Sequence, residues 1–440
     1  MMAAVLCALI LPADHAAAQT RLPALFSDGM VLQRSSDAPV WGWDIPGTEI
    51  SVTASWDGRS CTATAGEDGR WMTRIETPEA GGPYEITVRG SEEKVIRGVL
   101  SGEVWICSGQ SNMAMPVRGY TSQPVEDSFR TILSAPEYGE RIHVFNVTKD
   151  PGPEVREDCR GLWKEASCES AATTSAVAWH FAVALTEALR VPVGIIVSAY
   201  GSTKIEPWTP KDALEDALEG AIPKKLLEEK LSARNVEGKA PTEAGSLYNS
   251  MIAPLSPYAA KGFLWYQGCS SRKDYGHYAL MQTAMVGAWR RAWGDDNAEM
   301  PFIFATIAQH AYGNAEDAVR AYFVESQLKS LEMIPNSHAV VTEGLGEKGC
   351  IHPPKKREVG EMMAWTALSK TYGVSGMTAG YPQYDRMETD EGVVTVWFSN
   401  AKYGLCPSYG EPLKGFYLAG KDRTFHEATA VILKNPLRVE

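Results

Sequence analysis

Between Leu25 and Leu100 apolar and polar residues alternate in short runs: Ala38 to Trp43, Glu49 to Thr53, Trp71 to Ile75 and Tyr84 to Val88. The turn formers Pro46-Gly47, Asp57-Gly58, Asp68-Gly69 and Gly81-Gly82-Pro83 separate them. A period of two with breakers at this spacing predicts short strands and an N-terminal β-sandwich over residues 19–100. From Val104 the rhythm changes. Solid apolar runs at Val104–Cys107, Arg141–Val147, Val193–Ala199, Phe263–Tyr266, Phe302–Ile307 and Ala339–Thr342 predict strands. Helical stretches follow at Ala176–Leu189, Tyr278–Trp293, Ala315–Met333 and Val359–Tyr372. Such alternation predicts an α/β domain over 101–373, a mostly parallel sheet with helices on both faces and ligands bound beyond the carboxyl ends of the strands. Within it, 209–245 reads as a helical insertion whose charge run, Lys224, Lys225, Glu228, Glu229 and Lys230, predicts a solvated face. Strand-like segments at Val393–Phe398, Gly415–Leu418 and Ala430–Leu433 predict a small C-terminal β region over 374–440, which reads as truncated.

Composition narrows the function classes. The 440 residues exceed what one core usually supports, so two or three domains are expected. A net charge of -12 leaves no basic footprint for nucleic acid or for anionic membrane surfaces. No apolar run is long enough to span a bilayer. Residues 1–18 carry an apolar stretch from Ala3 to Leu11 and end in Ala16-Ala17-Ala18, the pattern of a secretory signal peptide, so a secreted or periplasmic protein is expected. The remaining cysteines are odd in number and scattered, with only Cys159 and Cys168 close enough in sequence to suggest a local bridge. No spaced metal motif is present and no cofactor is expected. Gly344-Leu345-Gly346-Glu347-Lys348-Gly349 has glycine spacing found in dinucleotide sites, but Cys-Ile-His-Pro-Pro follows where a helix is required.

The chemistry converges on the strand ends. Ser111 follows the first strand of the α/β part in Ser108-Gly109-Gln110-Ser111-Asn112, a turn that presents a hydroxyl. Gly201-Ser202-Thr203, Gln267-Gly268 and His352 follow three others. A serine hydroxyl needs a base to take its proton, and imidazole suits neutral pH. His352 is preferred, because Ile351-His352-Pro353-Pro354 holds it in an extended loop, with His310 as runner-up. Gly201 and Ser111 can offer backbone N–H groups, and Gln267 a side-chain amide, to an oxyanion.

These segments carry a family resemblance. Gly102-Glu103-Val104-Trp105-Ile106-Cys107-Ser108-Gly109-Gln110-Ser111-Asn112-Met113, Leu247 to Leu255, Trp265-Tyr266-Gln267-Gly268 and Ile351-His352-Pro353 resemble the sialate O-acetylesterases, within the SGNH hydrolases. Leu25 to Gln33 and Val40-Trp41-Gly42-Trp43 extend the resemblance over nearly the whole mature chain. It implies a flavodoxin-like three-layer fold, Ser111 as nucleophile, His352 as base, and Gly201 and Gln267 at oxyanion positions. Two departures stand out: Ser271 where the superfamily commonly has Asn, and Gly349 and Cys350 where an acid is expected before the histidine. A thiol cannot balance an imidazolium as a carboxylate does, so Glu347, Glu343 or a backbone carbonyl is expected to orient His352.

The expected function is therefore a metal-independent serine esterase removing O-acetyl groups from carbohydrates, sialic acids first. The alternatives are a polysaccharide acetylesterase and a carbohydrate-binding protein with weakened catalysis.

Overall fold

The computed structural model describes residues 19–440 apart from 313–317, 378–379, 381, 402–403, 408–411 and 435–436. The expected signal peptide lies outside the described residues, as does the start of the helix expected at Ala315.

Seven strands open the chain: β1 (Val31–Gln33), β2 (Asp37–Trp43), β3 (Glu49–Ala54), β4 (Ser60–Thr64), β5 (Arg70–Glu76), β6 (Gly81–Arg89) and the 17-residue β7 (Glu93–Gly109). β3 pairs antiparallel with β4 and β6, β6 pairs with the first half of β7, and β2 pairs with β5. Val40, Val52, Ile75, Ile86 and Val88 are buried between these layers, the result of inward-facing apolar residues at every second position. β7 passes straight through the boundary expected at 100/101. Its second half is the middle of the next sheet, so one continuous backbone ladder joins the two regions.

That sheet runs in the order β13 (Ser337–Val340), β12 (Phe302–Ala305), β11 (Gly262–Tyr266), β7, β10 (Val193–Ala199), β8 (Ile142–Asn146), β9 (Trp163–Glu165). All pairings are parallel except the β8–β9 edge. β7 is buried on both faces. Trp105 and Cys107 point into a core shared with helices Ala176–Leu189 and Lys356–Lys370. Val104 and Ile106 point into the opposite core, shared with helix Tyr278–Ala292 and continuous with the N-terminal β layers. A run without polar positions is what burial on two faces demands, and the result is a three-layer α/β/α domain.

The connections place the site. From β7 the chain crosses over β10 to β8, returns to β10, then passes β7 to β11, so the crossovers diverge at β7. In open parallel sheets this switch point is where ligands bind, at the carboxyl ends, and β7 ends at Gly109.

The layer of helices on one face depends on Gly360. A Cβ added there would lie 2.5 Å from Val177 O and 2.8 Å from His180 Cβ. Helix propensity alone gives Gly360→Ala a gain of about 1 kcal/mol. The close approach reverses the sign, so the substitution is expected to lower stability by about 1–3 kcal/mol in a urea melt. A rise in midpoint would show that the two helices can separate freely.

Two expectations are corrected here, and one strand is added. The charged insertion forms helices Lys211–Leu218 and Lys224–Ser232, but Lys230 is buried, bonded to Glu206 (2.6 Å) and Asp274 (3.0 Å), because the helix lies against the loops beyond β10 and β11. Cys159 and Cys168 form no bridge, the first being buried and the second exposed. Beyond Gly376, Gln383–Asp390 pairs with Val393–Ser399 as a hairpin whose first strand is exposed throughout, which explains why its sequence shows no apolar alternation.

Candidate active site

The end of β7 is built by close backbone approach. Gly109 has φ +141, and a Cβ there would sit 2.3 Å from Tyr266 O. Its register partners are Ala199 of β10 and Tyr266 of β11, so three strands end flush. The chain then turns into the one-turn helix Ser111–Ala114. Ser111 is its first residue, where the backbone N–H has no intrahelical acceptor. Gly201 follows β10 beside it: the Cβ it lacks would be 3.5 Å from Ser111 Cβ. Tyr200 N–H donates to Gly109 O at 3.0 Å, which fixes this second loop to the first. Gln110 fixes the third, its Oε1 accepting from Gly268 N–H (3.0 Å) and Ser270 N–H (3.3 Å).

His352 arrives on the loop before helix Lys356–Lys370. Asn112 Nδ2 donates to Ile351 O at 3.0 Å, bonding the residue after Ser111 to the residue before His352. Tyr120 bridges the same pair, donating from its hydroxyl to Ser111 O (3.1 Å) with its ring edge-on to the His352 ring at 5.2 Å. Ser111 and His352 are thus on one edge of the sheet, around one tyrosine. Ser111 Oγ has no hydrogen bond among the described residues.

The group that orients His352 is Gln123. Its Oε1 lies 2.5 Å from His352 Nδ1. With Nδ1–H donating there, Nε2 is left with the lone pair. None of the expected orienting groups does this. Glu343 pairs with Arg320 at 2.6 Å, the Glu347 carbonyl faces His310 Nδ1 at 3.4 Å, and the Cys350 thiol donates to the carbonyl of His352 itself at 3.1 Å. Burial first, then the charges of Lys356 and His310, hold the His352 pKa down at about 4, so the ring is neutral over the ordinary working range.

Gln267 requires a correction. It is fully buried, and its Nε2 donates to Thr203 O and Ser271 Oγ, both at 3.0 Å, while its Oε1 accepts from Tyr278. Both amide hydrogens are spent on the scaffold, so the amide does not face an oxyanion. Ser271 is drawn into the same network, accepting from Ile205 N–H as well. Among the described residues, the backbone N–H groups of Ser111 and Gly201 stand close together and neither donates to a loop or turn carbonyl. Among the described residues no three His, Cys, Asp or Glu side chains gather as a metal site.

Sequence reasoning missed Gln123, Tyr120, Asn112 and Lys356. Asn112 stands inside a segment already singled out, and Lys356 falls between two of them, Ile351–Pro354 and Val359–Tyr372. Gln123 carries no local signal, because its partner is 229 positions away.

The three-layer α/β fold, with a serine turn at the switch point of its parallel sheet, is that of an SGNH-like carboxylic ester hydrolase. The chain belongs to the carbohydrate esterase family of sialic acid-specific acetylesterases, whose family model matches residues 101–369. It is 26% identical to the human sialate O-acetylesterase over 415 residues, covering 86% of this chain and 76% of that one. The Pongo abelii sialate O-acetylesterase is 27% identical over 416 residues, with the same coverage. The crystal structure of a carbohydrate acetylesterase from Xanthomonas citri superposes with a TM-score of 0.82 at 32% identity, covering 96% of this chain and 90% of that one. No helix among the described residues is long and apolar enough to cross a membrane.

Proposed function

We propose that this protein removes O-acetyl groups from sialic acids by a two-step serine mechanism, and that it does so after export. The observation that carries the mechanism is the Asn112–Ile351 bond, which ties the Ser111 turn to the His352 loop at the switch point. Ser111 Oγ attacks the acetyl carbonyl carbon as His352 Nε2 takes its proton. The tetrahedral oxyanion faces the N–H groups of Ser111 and Gly201, each such donor being worth about 10²–10³ in rate. Collapse breaks the bond to the sugar oxygen, which leaves with the proton from His352. Water then gives a proton to His352 and attacks the acetyl-serine, releasing acetate and restoring Ser111.

The names of the mammalian relatives support sialic acid as the sugar. The Xanthomonas citri enzyme, more similar in sequence, supports a second reading in which another acetylated carbohydrate is the substrate. Acetate release from O-acetylated sialic acids and from acetylated xylo-oligosaccharides separates the two. Faster turnover of the sialic acids is expected, together with one acetyl group trapped on the peptide containing Ser111 when the reaction is quenched in acid. Release from xylo-oligosaccharides alone would replace the substrate and keep the mechanism.

A further inference from the structure

Lys356 is a buried ammonium without a carboxylate. It is 1% exposed, and its Nζ donates to Asn112 Oδ1 at 2.6 Å across 244 positions of sequence. Asn112 spends its other group on Ile351 O, so one side chain joins the lysine, the Ser111 turn and the His352 loop. The Tyr266 ring covers the ammonium at 5.8 Å. A buried charge is normally paired, yet no carboxylate among the described residues is within ion-pair distance. The acidic groups that act on Lys356 are the thiols Cys269 and Cys350, and burial brings its pKa down to about 7.

We propose that Lys356 is a positioning residue for the esterase reaction: through Asn112 it holds the Ser111 turn against the His352 loop, and its unpaired charge, four residues along the chain from His352, opposes a second positive charge on that ring. The proposal rests on the Ser111–His352 reading of the site. Other groups facing this pocket do not cancel the charge. Tyr120 and Gln123 come from one side, Tyr266 and Cys269 from the end of β11, and His310 and Tyr312 from the loop after β12. Arg272 lies over Tyr312 and adds positive charge, and Arg357 already pairs with Asp127 at 3.4 Å. The sign is consistent: Lys356 is protonated below about 7, so its charge is present wherever His352 titrates.

The test is the pH profile of kcat/KM for an acetyl ester in wild type, Lys356→Met, Lys356→Arg and Asn112→Leu. Wild type is expected to keep its activity well below pH 6. Lys356→Met removes the charge, so the acid limb moves up, by roughly 0.5–1 pH unit, and the plateau falls by about 10²-fold as the two segments lose their common anchor. Lys356→Arg keeps the limb in place. Asn112→Leu lowers the plateau while the limb stays, because the charge remains. An unmoved limb in Lys356→Met overturns the proposal, as does a wild-type limb at the ordinary histidine value of about 6.5, which is readable even if the methionine variant does not fold. Activity surviving in Ser111→Ala would instead overturn the reading of the site.

Discussion

Replacing Ser111 by Ala is expected to reduce hydrolysis of a chromogenic acetyl ester by at least about 10⁴-fold, leaving only what binding and the N–H groups provide. The fold should not notice. Ser111 Oγ bonds to nothing among the described residues, and Tyr120 holds the residue through its carbonyl, which alanine keeps. Such a change normally falls within about ±0.5 kcal/mol of stability. Melting curves of the two proteins should therefore coincide while their turnover differs by orders of magnitude. Turnover within tenfold of wild type would remove Ser111 from the mechanism, and with it the acyl-enzyme.

The parts of this molecule visible in the sequence are those set by local pattern. β10 and helix Ala176–Leu189 fall on the expected residues, because an unbroken apolar run and a helical repeat each report burial directly. β4 was invisible because Ser60-Cys61-Thr62-Ala63-Thr64 is small, polar and at most half-buried, held by pairing with β3 and not by its own side chains. The site divides in the same way. Ser111, Gly201 and His352 sit at strand ends or in a rigid loop, positions that a parallel sheet brings to one edge. Gln267 also sits at such an end, yet its side chain turns inward, and nothing in Trp265-Tyr266-Gln267-Gly268 distinguishes a buried amide from one facing substrate. Gln123 and Lys356 act through partners more than two hundred positions away, so only the fold reveals them.

The cysteines follow from this. Cys350 stands where a carboxylate was expected, and the structure gives its thiol a backbone carbonyl instead of the imidazole. The acceptor role has passed to an amide from a different segment. An amide fixes the tautomer without balancing the charge that His352 would acquire in the proposed mechanism, which leaves the ring's low basicity, set by burial and then Lys356, uncorrected. In the proposed mechanism His352 is a base that is free at low pH but whose protonated form is poorly stabilised.

Changing Gln123 should therefore act in opposite directions according to what replaces it. Gln123→Leu takes the acceptor from Nδ1, leaves a half-buried N–H unpaired, and frees the ring to turn. A loss in kcat of about 10²–10³-fold is expected, the range of a general base, with KM little changed because Gln123 meets the histidine and not the sugar. Gln123→Glu puts a carboxylate at the same place. It favours the imidazolium, so the His352 pKa rises from about 4 and the acid limb of kcat/KM moves up. Above that limb the stronger base is expected to raise kcat/KM by about tenfold or more, a part of the roughly 10⁴ that separates a triad with an ionised acid from one with an amide. The two variants together decide the matter, since a structural role for Gln123 would make both slower. Equal losses in the leucine and glutamate variants, with an unmoved acid limb in the latter, would mean that some other group orients His352.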